Sequence, residues 1–333
     1  MILNILNNIL LKYFYMKEGR LFEAIIDDVP IIRSLAEVLA GVLNEIPMTL
    51  IKTPIADDST ESPKKKTTKK TKSQEDKDGG IRILQWNDND LILIHVRLWA
   101  RFFDSFECKY DNLSVGIEPS VLYDKLKTVD KDGIMTMYIN EQTPNLLCFD
   151  VTNTLTGRNT CHTMRLMDPN GHETPLKKPK YSITVEMKTE DFNTVCKSLI
   201  TSGKYMIIEC SENKIEFICR GSYGDSIEYF ENTKGVNISV NEEQQENQPV
   251  IVREMFDLDN ILQFHKCKIM SPTISLLLCN KFPMFIRYHV AKYGTMTVGF
   301  SPVDENMLNK NMSYNENFDQ YYDDTKKKIE LIE

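Results

Sequence analysis

The stretches LFEAIIDDVPIIRSLAEVLAGVLNE, residues 21–45, and YSITVEMKTEDFNTVCKSLI, residues 181–200, have the same form. In the first, residues 21–27 alternate apolar and polar as a short strand, and Pro30, Ile31, Ile32, Leu35, Val38 and Leu39 follow at helical spacing. In the second, residues 181–187 alternate likewise before Phe192, Val195, Cys196, Leu199 and Ile200. Each unit runs on into several short strands. A second strand-helix-strand phrase is also doubled: residues 114–139, with Val121, Leu122, Leu126 and Val129, are echoed by residues 252–279, with Ile261, Leu262 and Phe264. The fold class this predicts is α+β, built from two topologically similar units. Neither copy holds a catalytic constellation, and a unit that repeats architecture without chemistry points to a scaffold whose shape is its function.

The chain has 333 residues and 41% hydrophobic content, enough to bury two cores of somewhat over about a hundred residues each. Its eight cysteines all sit within or beside apolar runs and none forms a C-x-x-C pair. They read as buried small hydrophobes in a reducing compartment, so the sequons at Asn112, Asn237 and Asn311 carry no weight.

Three segments look added to the repeat. Residues 1–20 form an extension in which Ile2, Leu3, Ile5, Leu6, Ile9, Leu10, Tyr13 and Phe14 share one side of a helix, interrupted by Asn4, Asn7, Asn8 and Lys12. It is too short and polar to cross a bilayer and lacks the marks of a secretion signal. An amphipathic docking helix, a disordered leader and a start upstream of Met16 are all compatible with it. An insertion at about residues 52–80 carries Lys64, Lys65, Lys66, Lys69, Lys70 and Lys72. It reads as a disordered loop splitting a hairpin, and serves as a nuclear-import signal, a nucleic-acid tether or a plain solvated insertion. Residues 304–333 form an acidic tail expected to be mobile. In it Asn315, Phe318, Tyr321 and Tyr322 are spaced to fall on one face of a short helix.

Several short motifs then fall in order: Leu21-Phe22-Glu23-Ala24, Leu43-Asn44-Glu45, Gly80-Ile81 with Leu84-Gln85, Phe103-Asp104-Ser105-Phe106-Glu107-Cys108, Met164-Arg165-Leu166-Met167-Asp168 and Ser301-Pro302. Together, over residues 21–303, they resemble the eukaryotic-type sliding clamp, the proliferating cell nuclear antigen (PCNA) family. The resemblance implies clamp domains at 21–165 and 181–303 joined by a connector at 166–180. It implies inner helices, outer antiparallel sheets and a head-to-tail ring of three subunits. The net charge of -8 fits such a ring, which holds duplex DNA by enclosure and needs only weak phosphate attraction inside.

Carried over position by position, the DNA-facing residues would be Arg33, Lys125, Lys127, Lys197, Lys266 and Lys268, binding without sequence preference. Ala40, Ser34 and Thr194 stand where the family often has a basic residue. The family's partner-peptide pocket would be walled by Trp86, Asn89, Asp90, Leu91 and Leu176, with Pro283, Phe300, Ser301 and Pro302 opposite. An apolar pocket of this kind takes one or two aromatic anchors. Trp86 replaces a smaller family side chain, and Lys177, Lys178 and Lys180 make the connector basic, favouring partners with acidic residues beside the anchor. The tail spacing from Asn315 to Tyr322 matches that of the family's partner peptides, so the tail is a candidate competitor for the pocket. Ring closure would pair an edge strand at residues 160–166, with Cys161, Thr163 and Arg165, to one at 225–231 of a neighbour, with Ile227 and Tyr229. The implied partners are double-stranded DNA, DNA polymerase and other replication or repair proteins with PCNA-interacting peptides, a clamp loader and further copies of the chain, with no membrane.

An enzyme is the rival class. No phosphate-binding loop, Gly-x-Gly-x-x-Gly or His-Glu-x-x-His occurs, Cys161-His162 lacks zinc spacing, and the residues 87–90 cluster lacks the glycine and terminal glutamate of a calcium loop. No cofactor or metal is therefore expected. The closer alternative is a subunit of a heterotrimeric checkpoint clamp. The implied location is the nucleus or a cytoplasmic viral replication site.

Overall fold

A computed structural model describes residues 19–53, 78–169, 181–221, 224–233, 235–241 and 251–303. Residues 1–18 of the amino-terminal extension, most of the lysine-rich insertion, most of the connector with Leu176, and the tail with Asn315, Phe318, Tyr321 and Tyr322 lie outside them.

The described strands fall into two sets of nine. The first is β1 (Arg20–Ile26), β2 (Ile46–Ile51), β3 (Gly80–Trp86), β4 (Ile92–Trp99), β5 (Ser105–Cys108), β6 (Asn112–Ile117), β7 (Gly133–Asn140), β8 (Thr143–Asn153) and β9 (Asn159–Arg165). The second is β10 (Ile183–Lys188), β11 (Tyr205–Cys210), β12 (Lys214–Gly221), β13 (Gly224–Glu231), β14 (Asn237–Val240), β15 (Val252–Asp257), β16 (Thr273–Leu278), β17 (Met284–Val290) and β18 (Gly294–Phe300). Helix α1 (Val29–Ala40) follows β1 and α2 (Pro119–Leu126) follows β6. In the same places of the second set, α3 (Thr189–Leu199) follows β10 and α4 (Leu258–Leu262) follows β15. The duplication seen in the sequence therefore extends to every described strand and helix.

Local chemistry explains the helix starts. Asp28 caps α1, its Oδ1 accepting from Ile31 N at 3.3 Å, with Pro30 in the first turn, where a missing N–H costs nothing. Asp257 caps α4 by accepting from Asp259 N at 2.9 Å. The fourth helix is shorter than the repeat implied: α4 is succeeded by a 3₁₀ turn, His265–Ile269, which carries Lys266 and Lys268. The helices pack side by side, α1 touching α2 and the 3₁₀ turn, and α3 touching α4.

Three antiparallel sheets result. Their orders are β5-β1-β7-β8-β9, β14-β10-β16-β17-β18-β4-β3-β2-β6 and β13-β12-β11-β15. The long sheet joins the two sets through β18 and β4, with Val298 opposite Ile94 and Met296 opposite Val96. All four of those side chains are fully buried, making this junction a continuation of the core. Gly294 permits the closest approach, because a Cβ there would stand 1.9 Å from Arg97 O. The insertion does split a hairpin: β2 and β3 pair with Met48 opposite Ile83 and Ile51 opposite Gly80. This architecture agrees with the clamp fold that the sequence implies.

One expectation is corrected. Six cysteines are buried, but Cys279 is half-buried and Cys161 is exposed. Cys161 lies on the side of β9 turned away from the helices, where an apolar neighbourhood in sequence does not mean burial in space.

Candidate functional surfaces

The six candidate DNA-facing cations lie in or beside the helical segments: Arg33 on α1, Lys125 and Lys127 at the end of α2, Lys197 on α3, and Lys266 and Lys268 in the 3₁₀ turn. Arg33 and Lys125 are half-buried, whereas Lys127, Lys197, Lys266 and Lys268 are exposed. Three carry an acidic partner that the sequence reading did not assign. Lys266 Nζ lies 2.7 Å from Glu37 Oε1, Lys127 Nζ 2.6 Å from Asp124 Oδ1, and Lys268 Nζ 3.4 Å from Glu190 Oε1. The hydrogen bond from Lys266 holds the Glu37 carboxyl below its ordinary value despite partial burial. The pair Asp124 and Lys127 was visible at i,i+3 spacing; Glu37 and Lys266 meet only because α1 packs on the 3₁₀ turn. Half of the candidate cations are thus paired with carboxylates, which leaves the set more weakly basic than its lysines suggest.

A second candidate surface forms where the β3–β4 turn meets the end of β18. Asn87 builds the turn: its Oδ1 accepts from Leu91 N at 3.0 Å and Ile92 N at 2.9 Å, while its own carbonyl accepts from Asp90 N at 2.9 Å. Asp90 consequently takes a positive φ of 51°, which aspartate tolerates better than most residues. Ser301 N donates to Leu91 O at 3.2 Å, fastening the turn to the chain beyond β18. Trp86, Asp90, Leu91 and Ser301 are half-buried and Asn89 is exposed, so these candidate wall residues share one rim. Pro283, Phe300 and Pro302 are buried. Phe300 makes an edge-to-face contact with Phe264, centroids 5.5 Å apart, and supports the rim from beneath.

The third candidate surface is a pair of strand edges. Among the described strands β9 pairs only with β8 and β13 only with β12, so each ends its sheet. Cys161, Thr163 and Arg165 alternate along one side of β9 and are exposed, as are Ile227 and Tyr229 along β13, at 57% and 62%. Cys161 donates to Asp150, and that bond, with burial, pushes its thiol up to about 11. The alternate residues of these strands, Thr160 and His162 on β9 and Ser226 and Glu228 on β13, are not among the candidate interface residues and are all half-buried. Their signal was a run of polar residues at period two where a buried sheet face would carry apolar ones.

Comparison with known proteins adds the decisive observation. Residues 176–303 match the family model described as proliferating cell nuclear antigen, C-terminal domain. This part of the chain is similar to a PCNA carboxyl-terminal domain. A relative named probable DNA polymerase sliding clamp, from Acanthamoeba polyphaga mimivirus, is 27% identical over 253 residues, covering 74% of this chain and 52% of its own length. The proliferating cell nuclear antigen of Chaetomium thermophilum is 23% identical over 214 residues, covering 63% of this chain and 80% of its own. The chain thus spans about half the length of the mimivirus relative. The PCNA match begins in the connector and ends where β18 gives way to the tail, taking in Pro283, Phe300, Ser301 and Pro302. Among the described residues no helix is long and apolar enough to cross a membrane, and no group of three or more His, Cys, Asp or Glu residues is placed to hold a metal ion.

Proposed function

We propose that the chain is a DNA sliding clamp, a non-enzymatic processivity factor that closes into a homotrimeric ring around duplex DNA. The observation that carries this reading is the arithmetic of the sheets. Within one chain, the five strands ending at β18 join the four beginning at β4 into a nine-stranded sheet. The free sheets are the matching five strands, ending at β9, and the matching four, beginning at β13. Joining β9 of one copy to β13 of the next repeats the internal junction and satisfies both backbone edges. Such an interface is heterologous, so copies related by it form a ring when the rotation closes. Three two-domain subunits would give a wall of six similar domains with the helices on one side.

The wall formed by Arg33, Lys125, Lys127, Lys197, Lys266 and Lys268 would then face the duplex, attracting phosphates without reading sequence. The rim at Trp86, Asn89, Asp90, Leu91 and Ser301 would seat the aromatic anchor of a PCNA-interacting peptide from DNA polymerase or another replication or repair enzyme. A clamp loader would open the ring. Nuclear or viral replication sites suit this role. The subunit of a heterotrimeric checkpoint clamp is the second reading, kept because strand addition at β9 and β13 would serve unlike subunits equally well.

The test is topological. Protein threaded onto linear duplex should remain when both ends are blocked by bulky proteins and slide off when one block is removed. Equal loss from blocked and open DNA would overturn the proposal.

A further inference from the structure

The internal repeat fixes how the subunit junction should be built, residue by residue. Ala24 faces Met137, Met137 faces Phe149 and Phe149 faces His162. In the second set Val185 faces Leu276, Leu276 faces Ile286 and Ile286 faces Val298. His162 therefore stands where Val298 stands, and Thr160 where Met296 does. On the other strand, Met48 faces Ile83 and Ile83 faces Val96, whereas Ile208 faces Phe217 and Phe217 faces Glu228. Glu228 thus occupies the place of Val96, and Ser226 that of Ile94. Isolated bridges check both alignments: Met167 on Gly116 and Val303 on Met255 fall at the same offsets from His162 and Val298, and from Ile117 and Phe256.

Transferring the internal register puts His162 opposite the partner subunit's Ser226, and Thr160 opposite the partner subunit's Glu228. His162 and Glu228 become same-face diagonal neighbours, within reach of an aromatic and a long side chain. The layer that is Ile94, Val96, Met296 and Val298 inside the subunit becomes Ser226, Glu228, Thr160 and His162 between subunits. Its tautomer logic follows from bonds present in one subunit. Thr128 Oγ1 donates its single hydroxyl proton to Lys125 O at 2.8 Å, so at 3.3 Å from His162 Nε2 it accepts, and Nε2 carries a proton. A carboxylate only accepts, so it bonds His162 Nδ1 only when that nitrogen is protonated too.

We infer, building on the ring reading above, that each subunit junction is closed by an imidazolium–carboxylate pair between His162 and the partner subunit's Glu228, which makes ring closure proton-linked. The other groups facing His162 oppose its charging or leave it unchanged. In the lone subunit burial and then Lys125 hold the imidazole below its ordinary value. Across the junction Glu228 is flanked by Cys196 of α3, whose thiol burial pushes up to about 12 and keeps neutral. Closing therefore raises the His162 affinity for a proton. The stabilisation is present below the pKa in the ring and is lost as pH rises through it. An apolar junction would be permanent, whereas a polar one can part and re-form.

The test is the trimer dissociation constant by sedimentation equilibrium at pH 6 and pH 8 for the full chain, Glu228→Gln and His162→Lys. Association of the native chain should weaken from pH 6 to pH 8, by up to about tenfold per pH unit for each junction that takes up one proton. Glu228→Gln should flatten that dependence, and His162→Lys, a cation at both pH values, should hold the ring together at pH 8. A native trimer with pH-independent association, or a Glu228→Gln variant with the native pH dependence, would overturn the inference while leaving the ring intact. A native chain that is monomeric at both pH values would overturn the ring reading itself.

Discussion

Glu37→Gln removes the acid that occupies Lys266 without touching a candidate DNA contact. Its direct cost to the fold is small, because Lys266 is 47% exposed and such pairs contribute about 0 to 1 kcal/mol. Its effect on DNA should be larger. Freeing Lys266 offers one more phosphate contact per subunit, so a trimeric ring gains between about one and three, depending on how the duplex sits. Each contact steepens the slope of log K against log salt by about 0.9, for a total of about 0.9 to 2.7. Between 50 and 200 mM salt that is an additional fall of about 3- to 40-fold. The assay is a salt titration of binding to end-blocked duplex by fluorescence anisotropy, native and variant side by side. An unchanged or shallower slope in Glu37→Gln, with the ring intact, would refute the assignment of this helix face to DNA.

Other consequences follow from single residues. Phe264→Ala should cost about 3–5 kcal/mol, seen as a lowered denaturation midpoint, because Phe264 is fully buried against Phe300. Arg97 is 4% exposed and its Nη2 donates to Gly79 O at 2.9 Å, so Arg97→Ala should cost about 1–3 kcal/mol by stranding that acceptor, read by urea unfolding. Bonds from Lys266 and Lys292 hold the carboxyls of Glu37 and Asp27 below their ordinary values. The stability they contribute is complete above those ordinary values and should be lost as pH falls through the lowered ones, seen as an acid-side decline that both amide variants blunt. Cys161 should be the cysteine labelled first by a thiol reagent, slowly at neutral pH because its thiol is pushed up to about 11. Labelling should slow further at concentrations where subunits assemble.

The repeat was legible because strand alternation and helical spacing are local signals, and both copies keep them: Phe22, Ala24 and Ile26 in one, Ile183, Val185 and Met187 in the other. The candidate cations come from the family resemblance, position by position, and Lys266 and Lys268 lie on a 3₁₀ turn rather than on a helix. The acidic partners of these cations mostly could not be named, since Glu37 meets Lys266 through tertiary packing. Phe300 is a pocket-wall candidate through the family resemblance, yet the residue that packs on it, Phe264, lies in a different element. On β9 and β13 the exposed Cys161 and Ile227 stand out in the sequence, while the informative residues are their neighbours His162 and Glu228 on the inner faces. These gain meaning only when the registers of both sets are compared.

The account rests on β9 of one copy joining β13 of another to close a circle. Electron microscopy of the purified protein, at concentrations above the dissociation constant of the trimer, tests this most directly. The expected image is a closed ring with a central opening wide enough for duplex DNA and six similar segments around its wall. Isolated single subunits or open, non-closing filaments under those conditions would contradict it.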